Sequence, residues 1–177
     1  MVLDFGQPPG GILQVSYVVE DIDRAALNFA ASFKLGPWFI RGPFQPAQAI
    51  YRGQKTDISI SLAMTFSGHV MVELVQQHDD KPSVYREMID RQGYGFHHWG
   101  VATQNFDADV ADYRARGTEV AFFDITPIGT RIAYVDTARE LGGMIELIEL
   151  TPEQEKRYTA MYVAALGWDG QDLLRRS

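Results

Sequence analysis

The stretch Gly95-Phe96-His97-His98-Trp99-Gly100-Val101 places two adjacent histidines in an apolar run that follows a glycine-rich turn. Read as a strand, it sends alternate side chains to opposite faces, so only one histidine of the pair can face a given side. Phe96, His98, Gly100 and Ala102 share one face, which resembles a pocket wall. His97, Trp99 and Val101 share the other, a bulky surface suited to packing on a helix. His98 is therefore the candidate for chemistry, and His97 is assigned to packing.

On both sides of this strand the pattern of apolar residues and turn signals defines further elements. Strands are expected at 12–20, 38–40, 57–66 and 70–76, with an edge segment at 49–52. Downstream strands are expected at 120–124, 131–136 and 144–150. Helices are expected at 24–33, opened by Asp21 to Asp23, at 84–91 after the N-cap Ser83, and at 107–116. Thr151-Pro152 opens a last helix to about Leu166, with proline at the first helical position. Gly42 to Ala49 reads as a loop, and Gly170 to Ser177 as a polar tail.

The order strand–helix–strand–strand–strand thus occurs twice, and the two copies align in detail. A shift of 84 residues sets Gln14 on His98, Ser16 on Gly100 and Asp23 on Asp107. The last strands align with a shift of 73, which sets VMVELVQ on GMIELIE and Glu73 on Glu146. Each glutamate lies between apolar neighbours, where a carboxylate must be paired, solvated in a cavity or bound to a cation. One imidazole, two carboxylates and an amide oxygen make an N/O donor set. Such a set suits one Zn, Fe, Mn, Co or Ni ion better than Ca. Gln14, Glu73, His98 and Glu146 are the candidate ligands.

Composition narrows the alternatives. With 177 residues, of which 46% are hydrophobic, the chain can bury a substantial core. The net charge of -7 argues against nucleic acid as a partner. The absence of cysteine excludes disulfides and thiolate sites. No apolar run is long enough to span a membrane, and residues 1–11 lack the pattern of a signal peptide. These features lead to the expectation of a soluble cytoplasmic protein.

At the repeated positions the sequence resembles the vicinal oxygen chelate superfamily, which includes glyoxalase I, methylmalonyl-CoA epimerase, extradiol dioxygenases and bleomycin-resistance proteins. QVSYVVED sets Gln14 seven residues before Asp21, where the family signature has a histidine. FHHWGVA matches the start of the second module of epimerase-like members, with His98 at the ligand position. VELV and MIELIEL set Glu73 and Glu146 at the remaining ligand positions. The resemblance implies an α+β fold of two tandem βαβββ modules, about 11–79 and 92–151, within one domain spanning 1–177. An eight-stranded mixed sheet would curl around a cleft, with the helix at 152–166 added.

The resemblance also implies a metal-dependent isomerase, epimerase or lyase. Such an enzyme would hold an enolate-like oxyanion of a small carbonyl or thioester substrate, with Glu73 or Glu146 moving the proton. The strand at 57–66 offers Ser59 and Ser61 but no carboxylate past Asp57, which counts against strict methylmalonyl-CoA epimerase activity. Gln14 in place of histidine counts against an extradiol dioxygenase. The alternative is a metal-free small-molecule binding protein of the bleomycin-resistance type.

The remaining polar residues carry weaker signals. Glu149 falls on the face opposite Glu146 and reads as solvated. His69 reads as exposed, and His78 as a loop residue without a partner. Arg52 and Arg131 are candidates to meet a substrate carboxylate or phosphate, although solvated strand-end arginines are commoner. Trp38, Phe39, Phe44, Tyr51, Phe122, Phe123 and Tyr134 supply core or an apolar pocket wall. Tyr158, Met161, Tyr162 and Ala165 form a stripe that would cover the sheet, close over the cleft or form a homodimer contact.

Overall fold

A side-chain cap starts each of three helices. Asp21 accepts from the Arg24 amide and opens α1 (Ile22–Phe33). Ser83 accepts from the amides of Tyr85 and Arg86 and opens α2 (Val84–Gln92). Thr151 accepts from the Gln154 amide and opens α5 (Pro152–Leu166), with proline in its first turn. The remaining helices are α3 (Phe106–Ala115) and the short α4 (Ala138–Leu141). The computed structural model describes residues 3–177.

All strands join one curled, unclosed mixed sheet. In chain order they are β1 (Ile12–Val18), β2 (Trp38–Phe44), β3 (Ile50–Tyr51), β4 (Gln54–Lys55), β5 (Ile60–Ser67) and β6 (Val70–Gln77). The second half adds β7 (Gly95–Thr103), β8 (Val120–Ile125), β9 (Arg131–Val135), β10 (Met144–Glu149) and β11 (Leu174–Arg176). The order across the sheet is β11-β2-β5-β6-β1-β7-β10-β9-β8-β3-β4. The eight expected strands make up its continuous body, and the fold is the α+β arrangement that the resemblance implies.

Besides the short β4 and α4, which the sequence reading left unassigned, two segments differ from it. β2 runs on into the segment read as a loop, to Phe44. The polar tail is not free: Leu174–Arg176 pairs in parallel with Trp38–Ile40, and the Ser177 amide donates to the Ile40 carbonyl. Without it, β2 would end the sheet with unpaired backbone groups. A three-residue strand is too short to show a period of two, so composition alone made it look like a tail.

The two halves meet where β1 pairs antiparallel with β7. The pairing obeys the repeat. Gln14 lies opposite Gly100, and Ser16 lies opposite His98, which is the same pair after exchange of the halves. Likewise Ser16 lies beside Glu73 on β6, and Gly100 lies beside Glu146 on β10. The internal symmetry is therefore a pseudo-twofold axis through the β1–β7 ladder. It carries Gln14 onto His98 and Glu73 onto Glu146.

The ladder contains two β-bulges, again related by the repeat. One skips Leu13 and the other skips His97, and these residues are equivalent under the shift of 84. A bulge breaks the alternation of side chains. His97 therefore does not pack outward, as strict alternation predicts. Its ring turns inward against Tyr85, Tyr134 and His98. Phe96 moves outward instead and packs on Tyr17 and Trp99.

Helices cover the outer face of the sheet. Ile22 and Ala26 of α1 pack on Trp38, Ala63 and Leu74, while Phe106 and Val110 of α3 pack on Ala133, Val135 and Leu147. On the inner face, one apolar cluster joins Val18, Val75 and Met144 to Tyr85 and Met88 of α2. A second joins Met71, Ala102 and Ile148 to Phe5 and Tyr158, so the α5 stripe covers the sheet. A polar patch lies between these two plugs.

Gly100 permits the close approach of the halves. A Cβ at this position would lie 2.7 Å from the Gln14 Cβ and 3.2 Å from the Ile148 Cδ1. Gly100→Ala is expected to cost about 1–3 kcal/mol in denaturant unfolding, as overpacking does. A change below about 0.5 kcal/mol, the range of a neutral surface substitution, would show that β1 and β7 can part without penalty.

Candidate metal centre

The polar patch is built from the central strands alone. β1 supplies Gln14 and Ser16, β6 supplies Glu73, β7 supplies His98, and β10 supplies Glu146. All five are at most 6% exposed. One donor atom each from Glu73, His98 and Glu146 lies within 4.8 Å of the other two. His98 Nε2 is 3.5 Å from Glu73 Oε2 and 3.3 Å from Glu146 Oε2. The Gln14 amide atom placed as Nε2 lies 2.9 Å from Glu73 Oε2, 3.1 Å from His98 Nε2 and 3.2 Å from Glu146 Oε2. Donors about 2.0–2.2 Å from one ion stand roughly 3–3.6 Å apart, so the set can hold a divalent metal. Rotating the Gln14 amide by half a turn would present its oxygen at the fourth corner.

Two hydrogen-bond chains orient these donors. Ser16 Oγ donates to Glu73 Oε2 at 2.8 Å. Its counterpart in the second half, Gly100, has no hydroxyl to offer Glu146. His97 Nε2 lies 3.1 Å from the Val84 carbonyl, and His97 Nδ1 lies 2.8 Å from His98 Nδ1. The Val84 carbonyl can only accept, so His97 carries its proton on Nε2. Its Nδ1 must then accept from His98 Nδ1–H. That tautomer leaves the His98 Nε2 lone pair facing the two carboxylates, as a metal ligand requires.

Burial sets the protonation states. It pushes the Glu73 carboxyl up to about 7, with the charge of Glu146 adding to the effect against His98 and the Ser16 hydrogen bond. It pushes Glu146 up to about 7 as well, against hydrogen bonds from Tyr134 and Gln14. The same desolvation lowers His98 to about 4 and His97 to about 3, with the two rings disfavouring each other's charge at His97. Both imidazoles are therefore neutral near pH 7, and the carboxyls are poised to exchange protons there.

The centre opens into a cleft of about 450 Å³. Gln14, Glu73 and Glu146 lie at its floor, while Leu62, Met64, Ile132 and Ile148 form apolar walls. Arg41, Arg157, Arg175 and Arg176 also line it.

The four residues singled out from the repeat therefore converge, whereas the other polar candidates lie elsewhere. Arg52 is bound by Glu87, Asp136 and Glu119, and Arg131 by Glu149 and Asp107, so neither faces the cleft as a free cation. Glu149 is thus an ion-pair partner rather than a solvated group. His78 does have a partner: its Nε2 lies 2.8 Å from Ser61 Oγ. Of the aromatic residues considered as pocket walls, only Phe39 lines the cleft, and Trp38, Phe122 and Tyr134 are core. The sequence reading missed His97, because of the bulge, and Ser16, which sharing a face with Gln14 would have revealed.

Solved structures share this architecture. Methylmalonyl-CoA epimerase from Mycobacterium tuberculosis superposes with a TM-score of 0.57 at 18% identity, covering 84% of this chain and 93% of that one. The Streptomyces coelicolor methylmalonyl-CoA epimerase in complex with 2-nitronate-propionyl-CoA gives 0.56 at 18% identity, covering 82% and 97%. A hypothetical protein, BH1468 from Bacillus halodurans C-125, gives 0.58 at 15% identity, covering 80% and 94%. No curated protein sequence matches the chain. The family model described as Glyoxalase/Bleomycin resistance protein/Dioxygenase superfamily matches residues 13–134. That span runs from β1 through most of β9 and includes Gln14, Glu73 and His98, and the chain belongs to this superfamily.

Proposed function

We propose that the protein is a divalent-metal-dependent isomerase or lyase that moves a proton on the carbon beside a carbonyl or thioester. The convergence of Gln14, Glu73, His98 and Glu146 on one point at the floor of a cleft carries this reading. These four residues would hold the ion, which supplies positive charge to stabilise a developing enolate-like oxyanion. The epimerases among the structural relatives, one of them bound to a propionyl-CoA analogue, support a thioester as one substrate class.

The protein's own groups divide the work. Glu73 is pinned by Ser16 and Gln14 through bonds of 2.8 and 2.9 Å, which suits a fixed ligand. Glu146 has the longer Gln14 contact of 3.2 Å and has Tyr134 where Glu73 has Ser16, and it is assigned the proton. As a carboxylate beside the reacting carbon, Glu146 can take its proton and return it. His97 holds His98 in its ligating tautomer, and the apolar plugs on either side exclude water.

A second reading has one observation in its favour. The Gln14 amide, as placed, donates to both carboxylates and links them without an ion. A member of the superfamily that uses the cleft only to bind a small molecule would keep such a network. Chelator then would leave the melting temperature unchanged, whereas loss of a bound ion would lower it.

Elemental analysis of tag-free protein is expected to find one divalent ion per chain and to lose it in His98→Ala. Wild-type metal content in that variant would rule out the centre. His97→Phe is expected to weaken metal affinity by about 10–100-fold while the protein stays folded, as loss of an orienting partner does. Unchanged affinity would remove His97 from this role.

The pH dependence has a definite sign. The raised carboxyls penalise the metal-free fold increasingly as pH climbs from their unfolded value near 4.5 to about 7. The lowered histidines act oppositely and cost stability as pH falls from 6.5 towards 4. Metal binding requires ionised carboxyls, so titration calorimetry should record proton release at pH 6 that fades above pH 8. Pathway-independent proton exchange offers a test of Glu146. In D2O, exchange beside the carbonyl of a panel of small thioesters and hydroxyketones is expected with the wild type and lost in Glu146→Gln, and exchange at the wild-type rate would reassign the base.

A further inference from the structure

We propose that the cleft takes a substrate with an anionic end group, a carboxylate or a phosphate, which Arg41 and Arg157 hold in the same cleft that the buried glutamates line. The inference rests on the proposed reading only in making this molecule the substrate of the metal centre.

The pairing of the arginines separates these two from the rest. Six arginines are partly buried: Arg41, Arg52, Arg86, Arg131, Arg157 and Arg175. Four of them meet a carboxylate within the protein, namely Arg52, Arg86, Arg131 and Arg175. Among the described residues, Arg41 and Arg157 meet none. A half-buried guanidinium carries several donors and sheds part of its hydration, so it normally finds an anion.

Their surroundings sharpen the contrast. Both line the same cleft as Glu73 and Glu146, which among the described residues are the only carboxylate side chains in its wall. The chain as a whole carries a net charge of -7. A cationic spot inside an acidic protein would direct an anion to that place and away from the rest of the surface. The two guanidiniums are also close enough to disfavour each other: burial and then the charge of Arg157 hold Arg41 below its ordinary value. An anion between them would relieve that repulsion and accept planar, paired hydrogen bonds.

The two cations are held by rigid elements. Arg41 lies on β2, between β5 and β11, with its guanidinium 4.3 Å from the centre of the Phe44 ring. Arg157 lies on α5 beside Tyr158, which is anchored in the core. Leu62, Met64 and Ile132 supply apolar wall in the same cleft. The cleft volume of about 450 Å³ suits a small molecule with an apolar body. The substrate class is therefore a carbonyl or thioester compound with an apolar middle and an anionic end.

Calorimetric titration with phenylacetate, phenyl phosphate and the neutral phenylacetamide tests this on both metal-loaded and chelator-treated protein. The chelator-treated arm removes any contact between anion and metal. At least one anion is expected to bind more tightly than the amide in both arms, and the stronger of the two identifies carboxylate or phosphate. Arg41→Gln and Arg157→Gln should each weaken that anion by about tenfold or more, the loss of a charge-assisted hydrogen bond. Both variants should keep the metal content of the wild type, and Arg116→Gln, at an exposed ion pair, should bind as the wild type does. If either glutamine variant fails to fold, Arg→Lys at the same position retains charge and should bind the anion more weakly than wild type but better than the amide. Equal binding of anions and amide, or wild-type anion binding in both arginine variants, would overturn the proposal. Anion binding that needs both arginines in a protein that takes up no metal would leave this site standing and sink the metal reading alone.

Discussion

Two carboxylates buried within reach of one imidazole set the terms for the rest of the molecule. Removing an unpaired carboxylate from water costs several kcal/mol even after relaxation. The structure offsets that cost with donors placed by the sheet: Ser16 and Gln14 on Glu73, and Gln14 on Glu146. It also lets both carboxyls rise to about 7, so that a proton can replace a counter-ion. Buried titratable groups whose pKa values are shifted in this way cluster at functional sites more often than in structural cores.

The sheet can support this patch because its two halves approach closely along β1 and β7. Gly100 leaves room for the Gln14 side chain, and the paired bulges at Leu13 and His97 place two consecutive residues of each strand on the inner face. In the first half the extra residue is a core leucine. In the second it is a histidine that sets the tautomer of its neighbour. A symmetric backbone thus carries an asymmetric site: glutamine against histidine, leucine against histidine, serine against glycine. The asymmetry also distinguishes the two glutamates, which symmetry alone would make equivalent.

The repeat made much of this readable. Once Gln14 aligns with His98 and Glu73 with Glu146, alternation along each strand sends all four to one side, and the structure places their donor atoms together. Elements with caps or long alternation were equally legible, as Asp21, Ser83 and Thr151 illustrate. The failures have physical causes. His97 was misplaced because a bulge cancels the period of two, and bulges leave little trace in a single sequence. Residues 174–176 looked like a tail because a short edge strand is stabilised by backbone pairing with its neighbour, not by its own pattern.

The sequence by itself determined the α+β class, the duplicated strand–helix–strand–strand–strand order and the register that sets Gln14 on His98 and Glu73 on Glu146. Periodicity, capping and internal repetition are local properties, and they survive in a one-dimensional record. Only the tertiary structure decided which charged groups are free. Arg52 and Arg131 looked available until Glu87, Asp136, Glu149 and Asp107 were found against them, while Arg41 and Arg157 gave no signal until β2 and α5 brought them to one cleft. The availability of a charge depends on partners many residues distant, and the folded chain alone brings those partners within a few ångströms.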